Sequence, residues 1–145
     1  MGYKSRLATK EDVGFLKLFL ENAELSTEGV DQLFEYFILL ENDQKEWVAC
    51  LGIEPLGTVG LMRSFVVLPK VEEEGIFLLF EKMLQLAQEK KVNQILLATN
   101  RMSSIPFLSA LGFTAVEKED LPNELSQSAH GKQLLQTQNV TFMRR

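Results

Sequence analysis

The 145-residue sequence is poor in the residue types that build most metal, redox and nucleic-acid sites. Cys50 is the only cysteine, so no disulfide can close within the chain. It stands inside the apolar run WVACLGI, where a buried, inert thiol is expected. His130 is the only histidine, which leaves a His/Cys metal site without ligands, and no metal is expected. Cationic charge is also scarce: 15 Lys and Arg face 20 Asp and Glu, for a net charge of −5. Phosphate backbones are bound by clustered Lys and Arg, so no nucleic-acid partner is expected. The one basic pair, Arg144-Arg145, reads as a solvated tail. No run approaches the roughly 18 apolar residues that span a bilayer, and the opening MGYKSRLATKED lacks a signal-type apolar stretch. These absences point to a soluble cytoplasmic protein with no membrane partner. What the chain has in quantity is core material, with 46% hydrophobic residues, enough to fill a single domain over 1–145.

Periodicity gives the order of elements. KSRLA (4–8) reads as a short strand, and Thr9, three residues before Asp12, reads as the cap of a helix running to about Leu25. Ser26 or Thr27 caps a second, short helix. YFILLE and EWVACLGIE, separated by the polar NDQK, form a hairpin, and Pro55 and Gly57 turn the chain into a third strand, VGLMRSFVV. FLLFEKMLQLAQEK is amphipathic, with Phe77, Phe80, Leu84 and Ala87 assigned to one face. NQILLAT follows as a strand with no hairpin between, which implies a parallel crossover. SIPFLSALGF is a short helix stopped by Gly112; TAVEKED and NVTFMRR are further strands, flanking a polar stretch 122–138 that reads as a short helix or a mobile loop. The fold class is α+β: a mixed, mostly antiparallel twisted sheet with a central parallel crossover and flanking helices. Strand edges and apolar surface leave room for a homodimer without specifying one.

The stretch VVLPKVEEEGIFLLF (66–80) joins a strand to a helix through a turn with one glycine and three consecutive glutamates. A helix N-terminus after such a turn offers unpaired amides and a favourable dipole to an anion. Carboxylates in a first helical turn also stabilise the helix themselves, by about 0.3 to 1 kcal/mol each. The glutamates therefore read either as the helix's own anions or as part of an anion site that tolerates them.

Three segments in order, RLATKEDVGFLKLFL, VACLGIEPLGTVGLMRSFVVLP and IPFLSALGFTAVEKEDLP with a terminal FMRR, resemble the GNAT superfamily of acetyl-CoA-dependent N-acetyltransferases. Within it they are most similar to an amino-acid acetyltransferase-like branch that includes proteins associated with arsenic resistance. The resemblance implies acetyl-CoA as cofactor and a small amine or amino acid as partner. The family loop has the form Val-x-Pro-x-x-Gln/Arg-x-x-Gly-x-Gly/Ala, and its amides hold the pyrophosphate of coenzyme A. Val67, Pro69 and Gly75 match it, whereas Glu72 replaces Gln/Arg and Phe77 replaces Gly/Ala. By that match Val66, Val67, Glu72, Glu73, Glu74, Gly75, Ile76 and Phe77 are the cofactor-binding residues, together with Asn100 after ILLAT.

The two replacements degrade the loop. A donor is lost at Glu72, and Phe77 puts a ring where backbone and pyrophosphate approach closely. Two like charges about 5 Å apart in a partly solvated site repel by roughly 1 to 3 kcal/mol. The alternative implied is a non-catalytic GNAT-fold binding or regulatory protein that has lost the cofactor. The position of the family's tyrosine acid, four residues before the glycine of LGF, is Leu108. Glu54 is the candidate general base, or else a solvated hairpin carboxylate. Arg63 and Ser64 are candidate substrate-binding residues: Arg63 either forks onto a substrate carboxylate or lies along the sheet with its head in water.

Overall fold

A computed structural model describes residues 2–145. Seven strands form one sheet in the order β1-β2-β3-β4-β5-β7-β6. They are β1 (Lys4–Leu7), β2 (Phe37–Glu41), β3 (Trp47–Leu56), β4 (Val59–Val67), β5 (Gln94–Thr99), β6 (Thr114–Val116) and β7 (Thr141–Arg144). The helices are α1 (Val13–Asn22), α2 (Val30–Leu33), α3 (Glu73–Glu89), α4 (Ile105–Ala110) and α5 (Ala129–Gln136). The expected α+β class is what is found: β1, β2 and β3 pair antiparallel in sequence, and β4 pairs parallel with β5 across α3. Residues 2–54 with Arg63–Glu89 form one compact unit, and Pro55–Met62 with Lys90–Arg145 form another.

In the first unit, β2 is an unbroken apolar run, FILL, and all four residues are buried. Such a run needs cover on both faces of the sheet. Phe37 and Leu39 point to one side, into a cluster with Leu16 and Leu20 of α1, Val30 of α2 and Cys50 of β3. Ile38 and Leu40 point to the other, where α3 lies. Gly75 is buried there, and a Cβ on it would come within 3.1 Å of Leu40 and 3.2 Å of Tyr3. Asp12 sets the start of the first helical segment, accepting from the Thr9 N–H at 2.8 Å and from Arg6 at 2.8 Å. That ion pair holds the Asp12 carboxyl down at about 2.

The second unit packs Leu56, Val59, Leu61, Leu96, Leu125 and Phe142 into its own cluster. Val116 of β6 joins it, while α5 and a 3-10 turn over Asn123–Gln127 occupy the polar stretch 122–138. Ser128 caps α5 by accepting from the Gly131 N–H at 3.0 Å. Among the described residues no helix is long and apolar enough to cross a membrane.

Three details differ from the sequence reading. The first helix ends at Asn22, because Ala23 and Leu25 both donate to the Leu20 carbonyl and turn the chain. TAVEKED is a strand only over Thr114–Val116, since Lys118–Asp120 winds into a 3-10 turn. The inward face of α3 carries Gly75, Leu79, Phe80, Met83, Leu86 and Ala87, so Phe77 points outward and is 46% exposed. A helix seated by Gly75 has its phase set there, and Phe77 lies about 200° round from it.

Candidate functional site

The turn between β4 and α3 is built from local hydrogen bonds. Leu68 N–H donates to the Val48 carbonyl at 2.9 Å, which ends β4 beside β3, and Val71 N–H returns to the Leu68 carbonyl at 3.2 Å. Gly75 and Ile76 both donate to the Glu72 carbonyl, at 2.9 and 3.3 Å, and α3 then proceeds. The Glu72 N–H donates to the hydroxyl of Tyr3 at 3.0 Å, and that hydroxyl lies 3.4 Å from the Glu72 carboxylate. Among the described residues the amides of Glu73 and Glu74 have no protein acceptor. They are the open donors at the N-terminus of a 17-residue helix.

Glu72, Glu73 and Glu74 are all exposed, so their side chains can turn to water and need not fill the mouth of the turn. Two of the three lie in the first turn of α3, where they oppose the positive end of the dipole. Phe77 is likewise on the surface, and Phe65 of β4 is 39% exposed with its ring edge-on to Phe80 at 5.4 Å. The turn accordingly leaves two backbone amides open at the head of α3, while a third is already taken by Tyr3. Nothing local in the sequence signals Tyr3, because the contact joins residues 69 positions apart.

Glu54, Arg63 and Ser64 come together in the same unit. Gly52 lies opposite Phe37 in the β2–β3 register, and its missing side chain makes room for the Phe37 ring. The Arg63 guanidinium stacks over that ring, 5.5 Å from its centroid. Its Nε–H donates to Ser64 Oγ at 2.9 Å and its Nη1 to the Glu28 carbonyl at 2.8 Å, with a weaker approach of Nη2 to the Ser26 carbonyl at 3.4 Å. Burial lowers the Arg63 pKa, and the charges of Glu54 and Glu28 oppose that shift. Ser64 sits in the left-handed region at φ +56°, uncommon for a residue with a side chain. Its carbonyl accepts from the Cys50 thiol at 3.2 Å, and burial pushes that thiol up to about 12. The thiolate is thus out of reach at neutral pH, and Cys50 is the buried, inert group expected of it.

Two of the sequence candidates lie in the second unit. Asn100 occupies an exposed bend after β5, where the Arg101 N–H donates to Thr99 Oγ1 at 3.1 Å. Leu108 is 5% exposed inside α4 and packs as core, leaving no proton donor at that position.

No family model matches the chain. It is 36% identical over 146 residues to the uncharacterized protein YwlB of Bacillus subtilis (strain 168), an alignment covering 100% of this chain and 98% of YwlB. The chain belongs to the YwlB family. Solved structures with the same fold include acetyltransferases of low sequence identity. Rv2747 from Mycobacterium tuberculosis, in complex with CoA and NLQ, superposes with a TM-score of 0.77 at 16% identity, covering 97% of each chain. A GNAT-family acetyltransferase from Staphylococcus aureus superposes at 0.72 with 16% identity, covering 99% of this chain and 98% of that one. The N-acetylglutamate synthase of Neisseria gonorrhoeae, complexed with coenzyme A and N-acetyl-glutamate, superposes at 0.76 with 15% identity, over all of this chain and 35% of the synthase. This YwlB-family chain therefore has the GNAT fold.

Proposed function

We propose that this YwlB-family protein is an acetyl-CoA-dependent N-acetyltransferase acting on a small amine or amino acid. The observation that carries the reading is the strand-to-helix turn after β4, with the Glu73 and Glu74 amides open at the head of α3. These two donors and the helix dipole would hold the pyrophosphate, supported by the loop match at Val67, Pro69 and Gly75, with Val66 and Ile76 beside them. Bound acetyl-CoA would supply the thioester that the amine attacks. Glu54 is the group on this chain suited to take the ammonium proton. Arg63 engages Nε, Nη1 and, at 3.4 Å, Nη2 within the chain, so the second N–H of each Nη is what it could offer a substrate carboxylate. Asn100 is assigned to the cofactor by the family resemblance. The amino-acid acetyltransferase-like branch is favoured by the sequence segments quoted above.

A second reading, a GNAT-fold binding protein that has lost the cofactor, is favoured by the Tyr3 hydroxyl seated on the Glu72 amide. Isothermal titration and thermal melts with acetyl-CoA separate the two. Acetyl transfer requires a saturable heat and a raised Tm, because a ligand that binds only the native state must stabilise it; at 100 times Kd the gain is about 2.7 kcal/mol. Absence of both at millimolar acetyl-CoA removes the first reading. The triple variant Glu72→Arg, Glu74→Arg, Phe77→Gly then tests the turn itself: binding gained by it means the backbone cradle persists and only its side chains oppose the ligand.

A further inference from the structure

In the first unit, α1 carries apolar residues on the side that faces away from the sheet. Leu16 and Leu20 are buried in the core, while the other side of the same helix holds Gly14, Phe15 and Leu18. Phe15 is 54% exposed and Leu18 55%. At about 100° per residue, Leu18 points opposite to the mean direction of Leu16 and Leu20, so it stands furthest from the core that the helix covers. Phe15 is held in place: its ring is edge-on to Trp47 with centroids 4.6 Å apart, Phe19 meets the same indole at 6.0 Å, and the Arg6 guanidinium lies 5.9 Å from it. Leu18, Phe15 and Trp47 thus form an ordered apolar platform. A Cβ on Gly14 would meet nothing within 4 Å, which leaves an open notch in the helix beside that platform.

Charges of opposite sign stand at the two ends of this face. Lys10 lies in the 3-10 turn Lys10–Asp12 that leads into α1, Glu21 lies in the last turn of α1, and both are exposed. The ion pairs among the described residues are Arg6–Asp12, Arg6–Glu41 and Lys17–Asp31, so neither Lys10 nor Glu21 is neutralised within the chain. The two are equally far along the chain from a point between Phe15 and Leu16. A two-fold axis placed there runs two copies of α1 antiparallel. Lys10 of each copy then meets Glu21 of the other, and Phe15 meets its own counterpart. Leu18 arrives within one residue's rise of Gly14 of the other copy, whose notch receives it. One face thus supplies both halves of every contact, which is what a two-fold interface requires and what an unrelated partner does not.

We propose that the outer face of α1 is a homodimer interface, at which two copies of this chain pack antiparallel through Gly14, Phe15 and Leu18. A phenyl side chain offers about 200 Å² in full, so Phe15 alone leaves about 100 Å² in water. With Leu18 and the exposed parts of Trp47 and Phe19, the apolar area is on the order of 300 Å² per copy, the size of the largest patch on a typical monomer, which is often functional. Doubled by the axis, it forms the apolar centre of an interface at the low end of the standard range, about 1,200 Å² in all. Association of that size is reversible, with Kd expected at about 10 to 100 µM. This interface uses no residue of the β4–α3 turn and does not depend on acetyl transfer.

The test is sedimentation equilibrium of the full chain at low ionic strength from about 2 to 500 µM, a range that brackets the expected Kd, with circular dichroism melts to check that each variant folds. The parent mass should rise with concentration from 16.5 kDa toward twice that value. Leu18→Glu buries a charge at the centre of the contact and should weaken association roughly 100-fold or more. Gly14→Leu enters open space in its own chain but fills the notch, so association should weaken about 10-fold while the melt stays unchanged or rises. Lys10→Glu and Glu21→Lys should each weaken association about 10-fold, because every dimer holds two such pairs. The double exchange Lys10→Glu, Glu21→Lys should restore the parent Kd to within about threefold, since it re-forms both pairs with the signs reversed. A chain that stays at 16.5 kDa up to about 500 µM overturns the proposal and leaves the face to a different protein. Association that Leu18→Glu does not change overturns it by placing the contact elsewhere. A double exchange no better than either single variant overturns the antiparallel pairing.

Discussion

Tyr3→Phe removes one oxygen atom and asks what that oxygen does. The ring remains packed beside Gly75, so the substitution leaves no cavity at the head of α3. What goes is the acceptor for the Glu72 N–H at 3.0 Å. An intramolecular hydrogen bond contributes about 0.5 to 1.5 kcal/mol net, and this one is exposed, so a loss near the lower figure is expected. For a chain of this size that is a fall in Tm of about 1 to 3 °C. Ligand affinity should move the other way. Freeing the Glu72 amide adds a third donor to the open pair at Glu73 and Glu74, and a charge-assisted bond to pyrophosphate is worth about 1.5 kcal/mol or more, close to tenfold in Kd. The assay is a pair of measurements on parent and variant: a thermal melt without ligand, and calorimetric titration with acetyl-CoA. A variant that melts slightly lower and binds up to tenfold tighter supports Tyr3 as a competitor for the phosphate amides. Weaker binding would refute that reasoning and make the hydroxyl part of the cradle; unchanged melting and binding would mean the contact has no energetic role.

Gly52→Ala should destabilise the first unit by about 1 to 3 kcal/mol in a denaturant melt, the usual cost of overpacking, because the new methyl would lie 2.7 Å from the buried Phe37 ring. Displacing that ring also disturbs the platform under Arg63, so faster amide exchange at Gly29 and Val30 should accompany the loss. Asp12 gives the pH dependence: its folded pKa is lowered from 3.8 to about 2 by Arg6, so its contribution is complete above the unfolded value and is lost as pH falls from about 4 towards 2. Asp12→Asn should therefore flatten the acid side of the stability profile in that window, and a parent and variant with parallel profiles there would count against the pairing.

The strands and the long helix were legible because their residues answer to local rules. FILL and CLGI are apolar whichever neighbour covers them, and EEEG ahead of FLLF announces a helix start through charge and spacing alone. The stretch 122–138 was ambiguous for the same reason: its apolar residues Leu125, Leu134 and Leu135 are too few to impose a period, and packing against Leu96 and Phe142 decides their place. Helix phase on α3 was misread at Phe77, since amphipathicity alone did not reveal that the inward row begins at Gly75.

By itself, then, the order of apolar and polar residues determined an α+β chain with a parallel crossover at α3 and a glycine turn with three glutamates at its head. Tertiary structure alone decided what occupies that turn and what surrounds each charge. Tyr3 reaches Glu72 only because β1 and α3 are neighbours, and Arg63 finds loop carbonyls 35 and 37 residues away. A hydrogen bond or an unpaired charge is a property of distance in space, and sequence spacing records that distance only within a single helix, strand or turn.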